Sequence, residues 1–226
     1  MNRDGFLLAP AREKHLGELA RLARSVEQAL SSRDMFVADD ADFFASVMRG
    51  QGSILAAEDR SGRLAGASVI RFPAADAADN LGRESGLEGK DLARVRHLEA
   101  VFVREDCRGR GLAARLVRRN MELTAPSGRD LSLATVWPGN LASLRLHFSL
   151  GLSIRAFAFK YGGRPRFVLL GGDGLRLGEP GMFSPSLDLD RHRALLARGL
   201  AGCAVRTQED GRDFVVGYAA PLATCA

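Results

Sequence analysis

The sequence predicts an α/β fold followed by a small C-terminal α/β extension. Three features predict it. Apolar residues recur with the period of a helix in some segments and with the period of a strand in others. A glycine-rich loop at 108–113 joins a strand to a helix. A stretch rich in Gly, Pro and Ser at 171–186 reads as a linker and sets a tail at 187–226 apart from a main domain at 1–170. The 226 residues suit one domain with an extension rather than two full domains. A chain of this length buries roughly 70% of its unfolded surface, so its core needs neither metal nor disulfide staples.

Residues 5–9 read as a short first strand. A helix is expected at 13–30, where Leu16, Leu19, Ala20, Ala23, Val26 and Leu30 recur at helical spacing. A second helix spans 39–49 with Phe43, Phe44 and Val47 inward. Strands at 53–58 and 64–72 flank the turn DRSG, a hairpin signal. Residues 73–93 are polar, small and glycine-dotted, and a loop that long inside a compact domain is usually functional or mobile. Then come a strand at 95–103, a helix at 111–123 with Leu112, Leu116, Val117 and Met121 on one side, and a strand at 130–136. A helix at 141–150 is closed by Gly151, and strands follow at 153–160 and 166–170. The tail offers a helix at 188–198 and strands at 202–207 and 212–219 around the turn QEDG.

Composition narrows the function classes. Hydrophobic residues make up 46% and charged residues 26%, which excludes a disordered or collagen-like chain. No run of about 18 apolar residues occurs, so no membrane-spanning helix and no membrane partner are expected. The apolar run from Phe6 to Ala9 is too short for a signal peptide. Cys107, Cys203 and Cys225 are scattered and odd in number; they suggest neither a disulfide framework nor a metal site, and they fit a reducing cytoplasm. The net charge is +5, and only three of the 32 basic residues are lysines. Codon bias in a GC-rich genome explains that, and so does an anionic partner, because arginine forks suit phosphates. No nucleic-acid-binding motif is visible, and a nucleic-acid partner is not expected.

The loop Arg108-Gly109-Arg110-Gly111-Leu112-Ala113 is the most informative segment. Glycines let successive N–H groups converge, and the helix start adds its positive dipole end. Together these bind an anion such as a pyrophosphate. A tight strand–helix turn on a basic surface is the plainer reading. Gly109, Gly111 and Ala114 also fit a loose dinucleotide fingerprint, but no clean acidic residue closes a second strand further on.

The match is better to the GNAT N-acetyltransferases. Their acetyl-CoA loop begins with Gln or Arg, has Gly three residues on, and Gly or Ala two after that; Arg108, Gly111 and Ala113 fit it. A second family element places Asn, a small residue, Tyr and Gly-aromatic at fixed spacing. Asn140, Ser143, His147 and Gly151 hold that spacing here, with Leu152 in the aromatic place. Both motifs stand in family order across 95–152, so the chain resembles this family. The resemblance implies a mixed, mostly antiparallel central sheet with splayed middle strands and helices on both faces. It implies that amides from Arg108 through Ala113, including those of Gly109, Arg110, Gly111 and Leu112, hold the CoA pyrophosphate of acetyl-CoA, the co-substrate. The backbone of Val101, Phe102 and Val103 would pair with the pantetheine arm. Asn140, with Ser143 nearby, would contact that arm, a role compatible with capping its helix.

Acetyl transfer to an amine needs two proton events. An alkylammonium (pKa ~10) must lose a proton, and the leaving thiolate (thiol pKa ~8.5) is eased out by a donor. Glu99 and His97 stand nine and eleven residues before Arg108, where the family's bases commonly project. Strand alternation puts both on one face with Val101 and Val103, opposite Leu98, Ala100 and Phe102. Glu99 is the expected base, with His97 orienting it; a structural His–Glu pair is the plainer reading. His147 replaces the family's frequent Tyr acid. It could donate to sulfur, or it could be a surface histidine with Phe148 filling the core, leaving no dedicated acid or another group such as Tyr161. A strand amide near Val101 would stabilise the oxyanion.

Lesser candidates are weighed the same way. Cys107 is not expected to be a nucleophile, because the family transfers directly between bound substrates. Trp137 either lines the acceptor cleft or packs under the Pro138-Gly139 turn. Phe36, Phe43 and Phe44 either touch the acceptor or fill the core. The tail is left two roles, covering the cleft or forming a homodimer. The expectation is therefore an acetyl-CoA-dependent N-acetyltransferase acting on a primary amine of a small molecule or peptide. Its competitors are a non-catalytic acyl-CoA-binding or regulatory module, a dinucleotide-binding oxidoreductase, and a nucleic-acid binder with salt-dependent affinity.

Overall fold

The computed structural model describes residues 5–208 and 213–222. Of the expected QEDG turn only Gln208 lies within them, and Cys225 lies outside. The chain forms two compact units, Met1–Ala74 with Arg96–Arg129, and Ala75–Val95 with Asp130–Ala226.

The first unit is a four-stranded antiparallel sheet with helices on both faces. β1 (Leu7–Pro10), β2 (Gly52–Glu58), β3 (Leu64–Arg71) and β4 (Val95–Val103) pair in sequence order. The turn at 59–62 makes β2 and β3 the expected hairpin, with Asp59 accepting from the amides of Ser61 and Arg63. Alternation along β2 sends Ile54 and Ala56 to one face and Leu55 and Ala57 to the other. On the first face lie α1 (Leu16–Ala29) and α2 (Ala41–Ser46), which bury Leu19, Ala23, Val26, Phe44 and the flanking Val47 against Val69 and Phe102. Asp40 caps α2 by accepting from the Phe43 amide at 2.8 Å. The second face is covered by α3 (Leu112–Thr124), whose Leu112 and Leu116 pack on Leu55, Ala57, Ala65 and Val103.

α3 is also tied down by polar groups. The Asn120 amide donates to the Ser68 carbonyl at 2.9 Å and to the Ser53 carbonyl at 3.3 Å, and accepts from Ser53 Oγ at 2.7 Å. Buried Arg96 donates to the Met121 carbonyl and to Thr124 Oγ1. Polar groups under the helix are thereby matched donor to acceptor.

The second unit is also antiparallel. β5 (Leu131–Val136), β7 (Arg164–Gly171) and β6 (Ser153–Lys160) pair in that order, and β6 continues to β9 (Ala201–Thr207), β10 (Phe214–Ala219) and β8 (Met182–Pro185). α4 (Leu141–Ser149) and α5 (Leu189–Ala197) complete it. The stretch read as a linker thus contains a strand, and the tail joins the β5–β7 strands through Ile154 opposite Gly202. The long loop at 73–93 is pinned by Asn80, which donates to the Leu92 carbonyl at 3.1 Å and accepts from the Gly82 amide at 3.0 Å. Among the described residues no helix is long and apolar enough to cross a membrane.

Candidate active site

The loop between β4 and α3 is shaped for an anion. Gly109 and Gly111 have φ of +74° and +70°, left-handed values that any other residue adopts at a cost. A Cβ at either would meet nothing within 4 Å, so the demand is on backbone conformation and not on space. Gly111 is the N-cap of α3 and supplies no side-chain cap. Among the described residues, the amides of Gly109 through Ala113 have no acceptor. They stand at the positive end of a 13-residue helix, where orphan N–H groups gather. Arg108 departs from the expectation in one respect: its amide is spent on the Glu105 carbonyl at 3.1 Å. Its Nε donates to the Val103 carbonyl at 3.1 Å, which anchors the loop to the end of β4. Arg104 fixes the loop's base through Asp59 at 2.7 Å and Asp106 at 2.6 Å. Two open cavities of about 490 and 450 Å³ flank the loop, one reaching Arg108 and the other Arg110.

Glu99 and His97 do come together, but not on the expected face. The β3–β4 register shifts between Val69, opposite Ala100, and Ile70, opposite Leu98, so Glu99 is the extra residue of a bulge. Alternation breaks there. Val103 packs toward α3, while Ala100 and Phe102 pack toward α1 and α2. Arg96 also points to α3, through Met121 and Thr124. The bulge turns His97 and Glu99 to the α1–α2 side, where Arg71 and Asp39 lie.

Arg71 ties the pair. It donates from Nε to Glu99 Oε2 at 3.0 Å and from Nη2 to His97 Nδ1 at 3.0 Å. The guanidinium thereby links the carboxylate and the imidazole into one cluster. The direct His97 Nδ1–Glu99 Oε2 distance is 3.7 Å, too long for a hydrogen bond. Burial works to raise the Glu99 carboxyl, but His97 and Arg71 outweigh it and hold the group below the usual carboxylate range. Asp39 behaves oppositely. Burial first, then the charges of Glu99 and Asp40, push it up to about 6 against the pull of Arg71.

Neither Arg71 nor Asp39 stood out in the sequence. Arg71 is the lone charge in an otherwise apolar strand, LAGASVIRF, and that signal was available. Asp39 was hidden in the pair Asp39-Asp40, because one of two adjacent acids caps a helix and the sequence does not say what the other does.

In the second unit, Asn140 caps α4, its Oδ1 accepting from the Ser143 amide at 3.0 Å. His147 is buried, and Phe148 is only half-buried, the reverse of a surface histidine beside a core phenylalanine. His147 Nδ1 lies 2.7 Å from the Ser143 carbonyl, which can only accept, so Nδ1 carries the proton. Burial lowers its pKa more than the Ser143 contact raises it. At neutral pH the ring is uncharged and its one proton is committed. Trp137 lies against Gly139, where an added Cβ would fall 2.3 Å from its ring, so it packs under the Pro138-Gly139 turn. Phe44 is core, and Phe36 stacks obliquely on Phe102 with centroids 6.0 Å apart. Burial raises the Cys107 thiol, helped by its bond to Asp106, which disfavours the thiolate a nucleophile needs. No group of residues suited to a metal ion occurs among the described residues.

A strand, a glycine loop and a helix follow one another over 95–124, and Arg71, His97 and Glu99 gather on the strand. The sequence profile of the acetyltransferase (GNAT) family matches residues 19–152, more than half of the chain, and the chain belongs to that family. It is an acyltransferase by class. No curated protein matches it in sequence. Three solved structures illustrate the likeness in fold. An N-acetyltransferase from Staphylococcus aureus Mu50 is 15% identical with a TM-score of 0.52, over 73% of this chain and 96% of its own. A ribosomal-protein-alanine N-acetyltransferase from Brucella melitensis is 20% identical at 0.53, over 73% and 97%. A GNAT superfamily phosphinothricin acetyltransferase from Sinorhizobium meliloti, in complex with acetyl-CoA, is 16% identical at 0.55, over 75% and 90%.

Proposed function

We propose that this protein is an acetyl-CoA-dependent N-acetyltransferase that passes the acetyl group directly to a primary amine of a small molecule or peptide. The observation that carries the reading is the cradle: a row of amides, Gly109 to Ala113, without acceptors among the described residues, at the positive end of α3. That arrangement fits a pyrophosphate. Arg110 adds charge at the rim, and Arg108 acts by holding the loop to Val103. Val101, Phe102 and Val103 pair with β3 along one edge and would take the pantetheine arm along the other. Asn140 and Ser143 stay proposed donor contacts. Residues 1–170 would be the acetyltransferase module; the family profile matches residues 19–152 within it. The relatives' names include one protein acceptor and one small-molecule acceptor, which supports an amine without choosing its size.

The chemistry of this chain starts at the carboxylate cluster. Glu99 is ionised at neutral pH and fixed by Arg71, so it attracts a cationic acceptor amine to the cluster. His97 orients the cluster through its contact with Arg71. His147 has no spare proton, and the thiolate would leave without a dedicated acid from α4. That last point is the one observation favouring a non-catalytic acyl-CoA-binding module instead.

Thermal melting with and without acetyl-CoA, with NADH in parallel, tests the donor. At about 100 times its Kd, acetyl-CoA should add about 2.7 kcal/mol, roughly 5–10 °C for a chain this size. Arg110→Glu, an exposed change, should abolish the shift without lowering the melting point of the free protein. No shift at millimolar acetyl-CoA would remove the assignment. A shift without CoA release from any amine in a broad panel would favour the binding module.

A further inference from the structure

The cluster on the α1–α2 side of β4 contains two carboxylates in different settings. Glu99 is the bulge residue, bonded by Arg71 Nε. Asp39 comes from the segment between α1 and α2 and has no hydrogen-bond partner for its carboxylate among the described residues. It is only half-buried, and its oxygens are not among the sealed, unpartnered polar atoms. A molecule arriving from solvent can therefore reach it.

The position of Asp39 is held on three sides. Phe36 packs on Phe102 of β4. The Ala38 amide donates to Glu27 Oε1 of α1 at 3.2 Å. Asp40 caps α2. These anchors fix the backbone on both sides of Asp39 while leaving its carboxylate without a donor. The charged groups around it are Asp40 on its own segment, Glu99 on β4, Arg71 on β3 and Glu27 on α1, with His97 beside Glu99.

We infer that Asp39 takes the proton from the acceptor ammonium, and that Glu99, held in place by Arg71, is its fixed negative neighbour rather than the base. This rests on the acetyl-transfer reading above and names the residue that activates the acceptor. In the step, one N–H proton of R–NH3+ passes to the Asp39 carboxylate. The freed nitrogen pair forms the C–N bond at the thioester carbon. The C–S bond breaks with its electrons going to sulfur. The second proton lost from nitrogen ends on the CoA thiolate, and Asp39 returns its own proton to solvent. An amine cation, an acyl thioester and no oxidant enter; an amide, a thiol and one proton leave.

Two carboxylates whose surroundings drive their acidities apart divide acid–base work between them. Glu99 sits well below neutrality and is a weak base there. Asp39, at about 6, is close to the working pH at which a base is most effective. Glu99 contributes to that value by its charge, which is the coupling the assignment needs.

The experiment measures CoA release from acetyl-CoA and an amine panel as a function of pH, for wild type, Asp39→Asn, Asp39→Glu and Glu99→Gln, with acetyl-CoA melting shifts for each. The wild-type kcat/KM should rise with pH through a limb near 6. Asp39→Asn should lose that limb and at least about 100-fold in kcat/KM, the usual contribution of a general base, while its acetyl-CoA shift stays that of wild type. Asp39→Glu should recover part of the rate with a limb of its own. Glu99→Gln should keep a limb, displaced to lower pH because the negative neighbour is gone. An Asp39→Asn enzyme with wild-type rate and limb overturns the inference and leaves the acetyltransferase reading standing. If Asp39→Asn does not fold, a folded Asp39→Glu that keeps the wild-type rate and the wild-type limb unmoved overturns it instead. Wild type that turns over no amine sinks both.

Discussion

Asp39 is charged at a cost to the fold, and that gives the residue a signature separate from catalysis. Its carboxyl is raised to about 6 by burial and by Glu99 and Asp40. A raised acid stabilises the folded state most below its unfolded value and loses that contribution as pH climbs through the folded value. Above pH 6 the ionised group is a net penalty. Asparagine imitates the protonated form, so Asp39→Asn should melt above wild type at pH 8 and match it near pH 4. Solvent screening of a half-buried group leaves on the order of 1 kcal/mol, roughly 2–4 °C for this chain length. An Asp39→Asn melting point equal to wild type at both pH values would mean the group carries no such penalty. Glu99 has the opposite sign: its depressed carboxyl stabilises at neutral pH and loses that contribution as pH falls through its folded value. Residue identity showed in the sequence for Glu99, His97 and Gly111. The state of His147 did not show, because its neutrality comes from burial and from one carbonyl four residues back along its own helix.

At the scale of elements, β4 and α3 carry the residues of the proposed site. The bulge at Glu99 moves two side chains to the other face of the sheet, and no periodicity argument could have placed it. A bulge is a property of the pairing with β3, not of β4 alone. α3 carries the cradle on its first turn and is seated by Asn120 against Ser53 and Ser68. Asn120→Ala would remove the donor to the buried Ser68 carbonyl and to the Ser53 carbonyl, and the acceptor for the Ser53 hydroxyl. That should cost about 2–4 kcal/mol, a fall of roughly 5–15 °C in melting temperature. Leu123→Ala, on the exposed side of the same helix, should change stability by no more than about 0.5 kcal/mol. Equal losses for the two would show that the polar seat contributes nothing beyond helix propensity. The helices themselves were legible because amphipathic spacing is local: α1 lies within the expected 13–30, and α3 begins where the glycines end. The segment at 47–51 was not, since a wide turn ending in Gly50 at φ +110° replaces the last turn of the expected second helix.

For the whole molecule, the C-terminal residues are structural partners of the β5–β7 strands. β9 pairs with β6, and β10 and β8 extend the sheet from there. His192 accepts or donates in two buried bonds, to Tyr218 at 2.9 Å and to the Ser186 carbonyl at 3.0 Å, and it meets the Phe167 ring edge-on at 4.8 Å. Cutting the chain after Gly171 would expose Phe167 and Ile154, both fully buried. The truncated protein should be insoluble or lose its cooperative melt, whereas a detachable appendage would leave the melt of 1–171 intact. Composition, helix periods, the 95–152 motif order and the glycine turn into α3 were determined by the sequence alone, because each depends on residues close together along the chain. The face presented by Glu99, the pairing of Arg71 with His97, the half-buried carboxylate of Asp39, the neutral His147 and the attachment of the tail were decided only by tertiary structure. Each of these is set by a strand register or by burial among residues far apart in sequence, and local pattern carries neither.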